Sequence, residues 1–231
     1  MKIFAVICTR DKELGTVTSE LVHTLSSYGV NIKLLTAQNS IFEAYQKGVD
    51  SCSANDEDII ILCHDDLQIL STKPQFIASL VKCAYSETGI VGPAGTTNLG
   101  EDAVWWQQGR WQAGFHRGQV KHFIPSETKD SPTIDTTHYG PHGRVVALDG
   151  LFLAARKEVW DHIELQKPKY FEGKWDFYDI HYTTKAHLLG YKNFTIPLDM
   201  IHHSGGELVG RDSWHKNREA FISHTQLPLR I

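Results

Sequence analysis

The chain has 231 residues, enough for one large domain or two small ones with a substantial buried core. Its 23 Lys plus Arg against 27 Asp plus Glu give a formal charge of −4, with no dense basic run, so nucleic acid is not the expected partner. No apolar run approaches the roughly 20 residues that span a bilayer, so no transmembrane segment is expected. The opening "MKIFAVICTRDKE" turns charged too early for a secretory signal, which points to a cytoplasmic protein, peripheral to a membrane at most. Cys8, Cys52, Cys63 and Cys83 sit inside apolar segments without a C-x-x-C pair, so they read as reduced packing residues rather than disulfides or a thiolate zinc site.

In chain order, "KIFAVI" reads as a buried strand. The stretch from Lys12 to Tyr28 places Leu14, Val17, Leu21, Val22 and Leu25 on one helical face, with Gly29 as its stop. "NIKLL" is a second strand, and "SIFEAYQKGVDSC" a second helix with Ser40 as N-cap and Glu43 in the capping-box position. "DIIILC" is a third strand. A helix from about Pro74 and the strand "GIVGPA" follow. Alternation at this spacing predicts βαβ units and a mostly parallel central sheet flanked by helices. From Pro93 to Arg144 the pattern dissolves into Gly, Pro, Thr, His and aromatics, and we expect a long irregular insertion there. "RVVALDGLFLAARKEVW" restores regularity as two short strands around Asp149-Gly150 running into a helix. A further helix carries Tyr178, Tyr182, Ala186 and Leu189 and ends at Gly190, and the strand "NFTIPLDMI" stops on His202-His203. With no repeat and no linker, the expectation is one α/β domain, its first half at about 1–92 and its second at about 93–231.

The third strand ends on a contradiction. "IIILC" is the most apolar run in the chain, yet it is followed by His64, Asp65 and Asp66. Adjacent carboxylates at the end of a core strand carry a severe desolvation cost unless a cation neutralises them. Ligands of parallel α/β sheets bind at the carboxyl ends of strands. That rim collects His64-Asp65-Asp66 with Thr9-Arg10 after the first strand and Gln38-Asn39 after the second.

The order "SIFEAYQKGVDSC", "IIILCHDDLQI", "VVALDGLFLAARKEVW", "WDFYDIHYTTKAHLLGYK" and "IPLDMIHHSGG" resembles GT-A glycosyltransferases of the family 2 type, in particular those with an H-D-D form of the D-x-D motif. The order and spacing of these motifs, over roughly Ile3 to Gly206, are more specific than any one of them. The resemblance implies a GT-A fold and a divalent cation, Mn²⁺ or Mg²⁺, on a nucleoside diphosphate. It assigns Asp66 to the metal, and Asp65 to the ribose or the metal's waters. His64 stands where the family has its first Asp, among the donor-binding residues. The acidic motif at "WDFYDI" supplies the base, for which we take Asp179 over Asp176. His202 or His203 completes the metal site, and since neighbours on a strand point to opposite faces, only one can reach it. Thr9, Arg10 and Gln38 cradle the nucleotide base, while Asp149, Gly150, Trp105 and Trp106 face the acceptor.

Each assignment has a plainer counterpart. The Asp pair could cap a helix, though the one from Pro74 starts too far away. Asp179 could be a first-turn acid that suits the helix dipole, and Asp149-Gly150 a hairpin turn. Trp105, Trp106 and Trp111 could be core, and we expect the adjacent pair to divide between core and site.

Hard cations prefer carboxylate and phosphate oxygens, and a histidine ligand tilts the choice towards Mn²⁺. The expected activity is metal-dependent transfer of a sugar from a nucleotide donor, with UDP-sugar favoured, to a hydroxyl of a glycan, glycolipid or glycoprotein, with inversion. Two alternatives are a sugar-phosphate nucleotidyltransferase, against which the lack of a glycine-rich basic loop near the first strand speaks, and a non-catalytic nucleotide-sugar or carbohydrate-binding module.

Overall fold

The computed structural model describes residues 1–107, 109, 113–124, 133–204 and 212–231. The chain opens β1 (Ile3–Cys8), α1 (Thr16–Ser27), β2 (Asn31–Leu35), α2 (Ile41–Asp50) and β3 (Ile59–Cys63), the βαβ alternation expected from its periodicity. Every residue of β3 is buried, and it sits inside the main sheet between β1 and β12 (Phe152–Arg156). Burying one such Ile or Leu side chain contributes roughly 1.5–3 kcal/mol, so β3 anchors the core. Against the neighbouring β1, α2 lies close: a Cβ added at Gly48 would stand 2.2 Å from Val6 Cγ1. Only a glycine allows that approach. Ser40 caps α2 by accepting from the Glu43 amide at 3.4 Å. Helix α1 starts at Thr16 rather than Lys12, after a loop that ends at Gly15, and faces the core with Thr18, Leu21 and Leu25, while Leu14 stays exposed.

The seven-stranded sheet has the order β10 (Arg144–Val145), β13 (Lys192–Thr195), β5 (Thr88–Gly92), β12, β3, β1, β2. Five strands run one way, with β12 and β10 antiparallel to their neighbours. A second sheet is built from β11 (Ala147–Leu148), β6 (Ala94–Thr96), β8 (His116–Ile124), β14 (Met200–His202) and β4 (Leu67–Ile69), with β9 (Thr133–Gly140) paired to β8. β15 (Leu229–Arg230) adds a short antiparallel pairing with β7 (Asn98–Leu99). Helices α3 (Lys73–Leu80), α4 (Lys157–Ile163), α5 (Tyr178–Leu188) and α6 (Asp212–His224), with a 3₁₀ turn at Val81–Ala84 after α3, complete the described elements, α5 stopping just before Gly190 at φ +93°. None is long and apolar enough to cross a membrane.

Three expectations are corrected here. The described residues of the segment from 93 to 144 are not irregular throughout, because β8 and β9 pair antiparallel over most of their length. Strand β9, "TIDTTHYG", has only half-buried and exposed positions, so no apolar alternation marked it. "GIVGPA" is two strands in different sheets, broken at Pro93, and "NFTIPLDMI" is likewise β13 and β14, separated by residues 196–199 with Pro197 among them. In both places the proline lacks the N–H that a continuing ladder needs. Trp111 lies outside the described residues.

Candidate active site

The chain leaves the main sheet at Cys63 and enters the second sheet at Leu67, so His64, Asp65 and Asp66 form the crossing between the two. The crossing is pinned from both sides: His64 N–H donates to Leu151 O at 3.0 Å, and His203 N–H to Asp66 O at 2.9 Å. In β14, His202 pairs with Leu67 across the antiparallel ladder. The strand's alternation then separates the two histidines. His202 turns to the crossing, its Nε2 3.3 Å from Asp66 Oδ1. His203 turns the other way, 3.3 Å from Gln68 Oε1 and stacked on Phe123 at 4.9 Å.

His64 joins Asp66 and His202. Its Nδ1 lies 3.4 Å from His202 Nε2 and 3.8 Å from Asp66 Oδ1, and one donor atom from each of the three lies within 4.8 Å of the others. Two imidazole nitrogens and a carboxylate oxygen suit a borderline divalent cation. Asp66 Oδ1 is buried and, among the described residues, faces only the two imidazoles, His202 Nε2 at 3.3 Å and His64 Nδ1 at 3.8 Å, without a well-formed hydrogen bond, so it is an acceptor that such an ion would satisfy. Burial works to raise the Asp66 carboxyl, but His202 and then His64 outweigh it and hold it below its ordinary value. His202 shows the converse, burial lowering it and Asp66 raising it further, so that it ends above the usual imidazole value. Burial, and then His202, hold His64 below that value.

These residues open onto a cavity of about 430 Å³. Thr9, Arg10, Asp65, Asp149, Gly150, Trp106, Asp176 and Asp179 line it together with the His64, Asp66 and His202 cluster. Thr9 Oγ1 accepts from the Asp11 amide at 3.1 Å, and the Arg10 guanidinium lies 4.2 Å from the Trp175 ring centre, a cation–π stack at the wall. Gln38, His203 and Trp105 do not line the cavity. Gln38 donates through its side-chain amide to Thr36 O at 2.6 Å and through its backbone to Thr9 O at 3.0 Å, so it supports the Thr9 loop from behind. Trp105 is 2% exposed, packs on His116 and Tyr139, and accepts on its carbonyl from His116 Nε2. The adjacent tryptophans thus divide between core and cavity.

Asp179 lies in the first turn of α5, behind Phe177, whose φ of +68° is strained for a bulky residue. Burial, and next the charge of Asp149, raise its carboxyl to about 7, against backbone amides that include those of Ile180 and Gly150. An acid at that value is poised to exchange a proton near neutrality. Asp176 is placed differently. It is buried, and its Oδ2 accepts from Ser213 Oγ at 2.6 Å, which ties the loop to α6. Asn217, fully buried on α6, holds the same loop: its Oδ1 accepts from Gly173 N–H at 2.8 Å, and its Nδ2 donates to Gly173 O at 3.1 Å and Asp176 O at 2.9 Å.

Sequence reasoning missed Tyr178, Ser213, Trp214 and Asn217. A polar residue at the buried spacing of α6, Asn217 four residues before Phe221, was the available signal for the loop anchor. Tyr178 donates from its hydroxyl to Gly150 O at 2.9 Å and sits 2.6 Å from His64 Nε2, so the helix that carries Asp179 also touches the cluster. There is no room beside it: a Cβ at Gly150 would stand 2.3 Å from the Tyr178 hydroxyl and 2.8 Å from Asp179 Cβ.

Comparison with solved structures finds similarity, at TM-score 0.59 and 11% identity, to the crystal structure of GalNAc-T7 with UDP, GalNAc and Mn²⁺. The match covers 88% of this chain and 44% of that one, so the chain spans less than half of its length. A197 from STIV matches at TM-score 0.48 and 10% identity, over 88% of this chain and 86% of that one. A putative glucose-1-phosphate thymidylyltransferase from Bacillus anthracis, in complex with a sucrose, matches at 0.40 and 13%, over 96% and 77%. Only the first of these carries weight, and what it carries is the fold, which is GT-A. A comparison with curated protein sequences finds no match. The model of a family described as "Glycosyltransferase like family" matches residues 5–224, nearly the whole chain, and the chain belongs to that family.

Proposed function

We propose that this protein transfers a sugar from a nucleoside-diphosphate donor, UDP-sugar first among them, to an acceptor hydroxyl, with inversion at the anomeric carbon. The observation that carries this reading is that one cavity holds both a His64, Asp66, His202 donor set and, in Asp179, a carboxyl raised to about 7. Family membership supports the reaction class, and the similar GalNAc-T7 structure, which contains UDP, GalNAc and Mn²⁺, supports the choice of donor and metal.

His64, Asp66 and His202 would hold Mn²⁺ or Mg²⁺. A divalent cation there neutralises the charge that gathers on a departing diphosphate. The chain's own residues supply the rest. Ionised Asp179 accepts the proton of the acceptor hydroxyl as its oxygen bonds to the anomeric carbon, while the bond from that carbon to the diphosphate oxygen breaks and takes its electron pair with it. No protein nucleophile is needed, so attack comes from the face opposite the leaving group and inverts the centre. Thr9, Arg10 and Asp65 line the donor side. Trp106 and the Asp149-Gly150 turn, next to Asp179, line the acceptor side, which assigns 1–92 mainly to the donor and 93–231 mainly to the acceptor.

The test is a thermal-shift series with UDP, GDP, CDP and dTDP, each with Mn²⁺, Mg²⁺ or EDTA. Ligands that bind only the folded state raise its apparent stability. Stabilisation by one nucleotide that requires the metal is the expected outcome, and no effect from any combination rejects the donor site. Product stereochemistry by NMR then checks inversion.

A further inference from the structure

Three features lie apart from the Tyr178 contacts. A second hollow beside α1, lined by Ser19, Glu20, His23 and Gln68, holds no convergent set of buried polar groups. The stacked pair Tyr170 and His224, at 4.0 Å, is a surface contact between a loop and α6. The buried thiols of Cys8 and Cys63 are pushed up, Cys8 to about 12, which removes them as nucleophiles.

The Tyr178 hydroxyl has one proton, and the Gly150 carbonyl, 2.9 Å away, can only accept it. The second contact of that hydroxyl, His64 Nε2 at 2.6 Å, must therefore be an N–H donating to the tyrosine oxygen. This assigns the ring's tautomer from its network: Nε2 carries the proton, and Nδ1 presents its lone pair towards His202 and Asp66. A histidine ligand needs such a bond on its other nitrogen to fix its orientation and tautomer. The tyrosine itself is held by packing. Its ring makes edge contacts with Tyr45 at 5.7 Å and Phe42 at 6.4 Å, and the absence of a side chain at Gly150 leaves the space that its hydroxyl fills.

We propose that Tyr178 is a positioning residue for the divalent-cation site: through its hydroxyl it holds His64 in the Nε2–H tautomer, and so keeps Nδ1 available as a ligand. This rests on the proposed metal reading of the cluster. Removal of the hydroxyl leaves the aromatic packing in place but frees the His64 ring to turn or to exchange tautomers. The same hydroxyl also joins the cluster to the backbone of the Asp149-Gly150 turn, so one side chain sets both.

Two measurements test it. In the native protein without metal, ¹⁵N NMR of the histidine rings, with His64 assigned by its loss in His64→Gln, should report an Nε2–H tautomer. An Nδ1–H tautomer overturns the proposal whatever the metal does. Mn²⁺ binding in the presence of UDP, read by EPR, should then weaken about 10- to 100-fold in Tyr178→Phe, the usual effect of losing such a supporting bond, with the apo melting curve remaining cooperative. Equal Mn²⁺ affinity in parent and Tyr178→Phe overturns the positioning role and leaves the metal site standing. No Mn²⁺ binding by the parent overturns the metal reading and this proposal with it.

Discussion

Asp149 and Asp179 face one cavity, and the charge of the first adds to burial in raising the carboxyl of the second to about 7. Two acids so placed resist ionising together. If Asp179 must be ionised to take a proton, transfer should fall about tenfold per unit as pH drops below 7. Asp149→Asn removes the repulsion and should move that limb to lower pH. A pH–rate profile of the two proteins checks the shift, and an unmoved limb would disconnect Asp149 from the base. Asp179→Asn should lose about 10²- to 10⁴-fold in turnover while nucleotide binding persists.

The same group has a stability consequence of the opposite sign. Because the folded value is raised above the ordinary carboxylate value of 3.8, the native state holds a proton that the unfolded chain has released between about 4 and 7. The stabilisation present below 4 is lost as pH rises through 7. Asp179→Asn should therefore be more stable than the parent, by about 1–3 kcal/mol at pH 8 and less at pH 5. Urea unfolding at the two pH values measures the difference, and equal gains at both would mean that the charge is not its source.

The two neighbouring histidines of β14 should behave differently. His202 sits 3.3 Å from Asp66 while His203 stacks on Phe123, so His202→Ala should abolish metal-dependent stabilisation by nucleotide and His203→Ala should leave it nearly intact. Asp66→Ala should match the first. Thermal shifts with Mn²⁺ and UDP, against EDTA controls, separate the pair.

Asn217 predicts an effect at a distance from the chemistry. Three hydrogen bonds from its amide hold Gly173 and Asp176. Asn217→Ala orphans buried backbone groups and should cost about 2–4 kcal/mol. It should also loosen the loop that leads into Asp179, seen as a fall in kcat larger than stability alone explains when measured well below Tm.

Gly150→Ala should be poorly tolerated, since the added methyl would meet the Tyr178 hydroxyl at 2.3 Å. The expected cost is about 1–3 kcal/mol, together with weakened metal binding, which calorimetry with Mn²⁺ and UDP would read.

What could be read from the sequence follows the strength of its periodicities. β1, α2 and β3 carry apolar patterns that only one arrangement can bury, and the charged exit of β3 placed the rim before any contact was known. The β8 and β9 hairpin was invisible because a strand exposed on both faces has no apolar alternation to detect. Within the candidate site, Asp66, Asp179 and the His202-His203 pair stood out as residue types in motifs, with the choice between the two histidines left to the strand's register. The parts that orient them were not, because Tyr178 reads as packing at helical spacing and Asn217 as one more polar residue on a surface helix. Their roles come from contacts across 114 and 44 residues of chain.

The crossing from β3 to β4 puts His64 at the seam of the two sheets, and His202 meets it from a point 138 residues further along. Anything that binds both side chains at once acts as a removable rivet between the layers. It would close a loop of more than half the molecule, so that loading the site and stiffening the joint become one event.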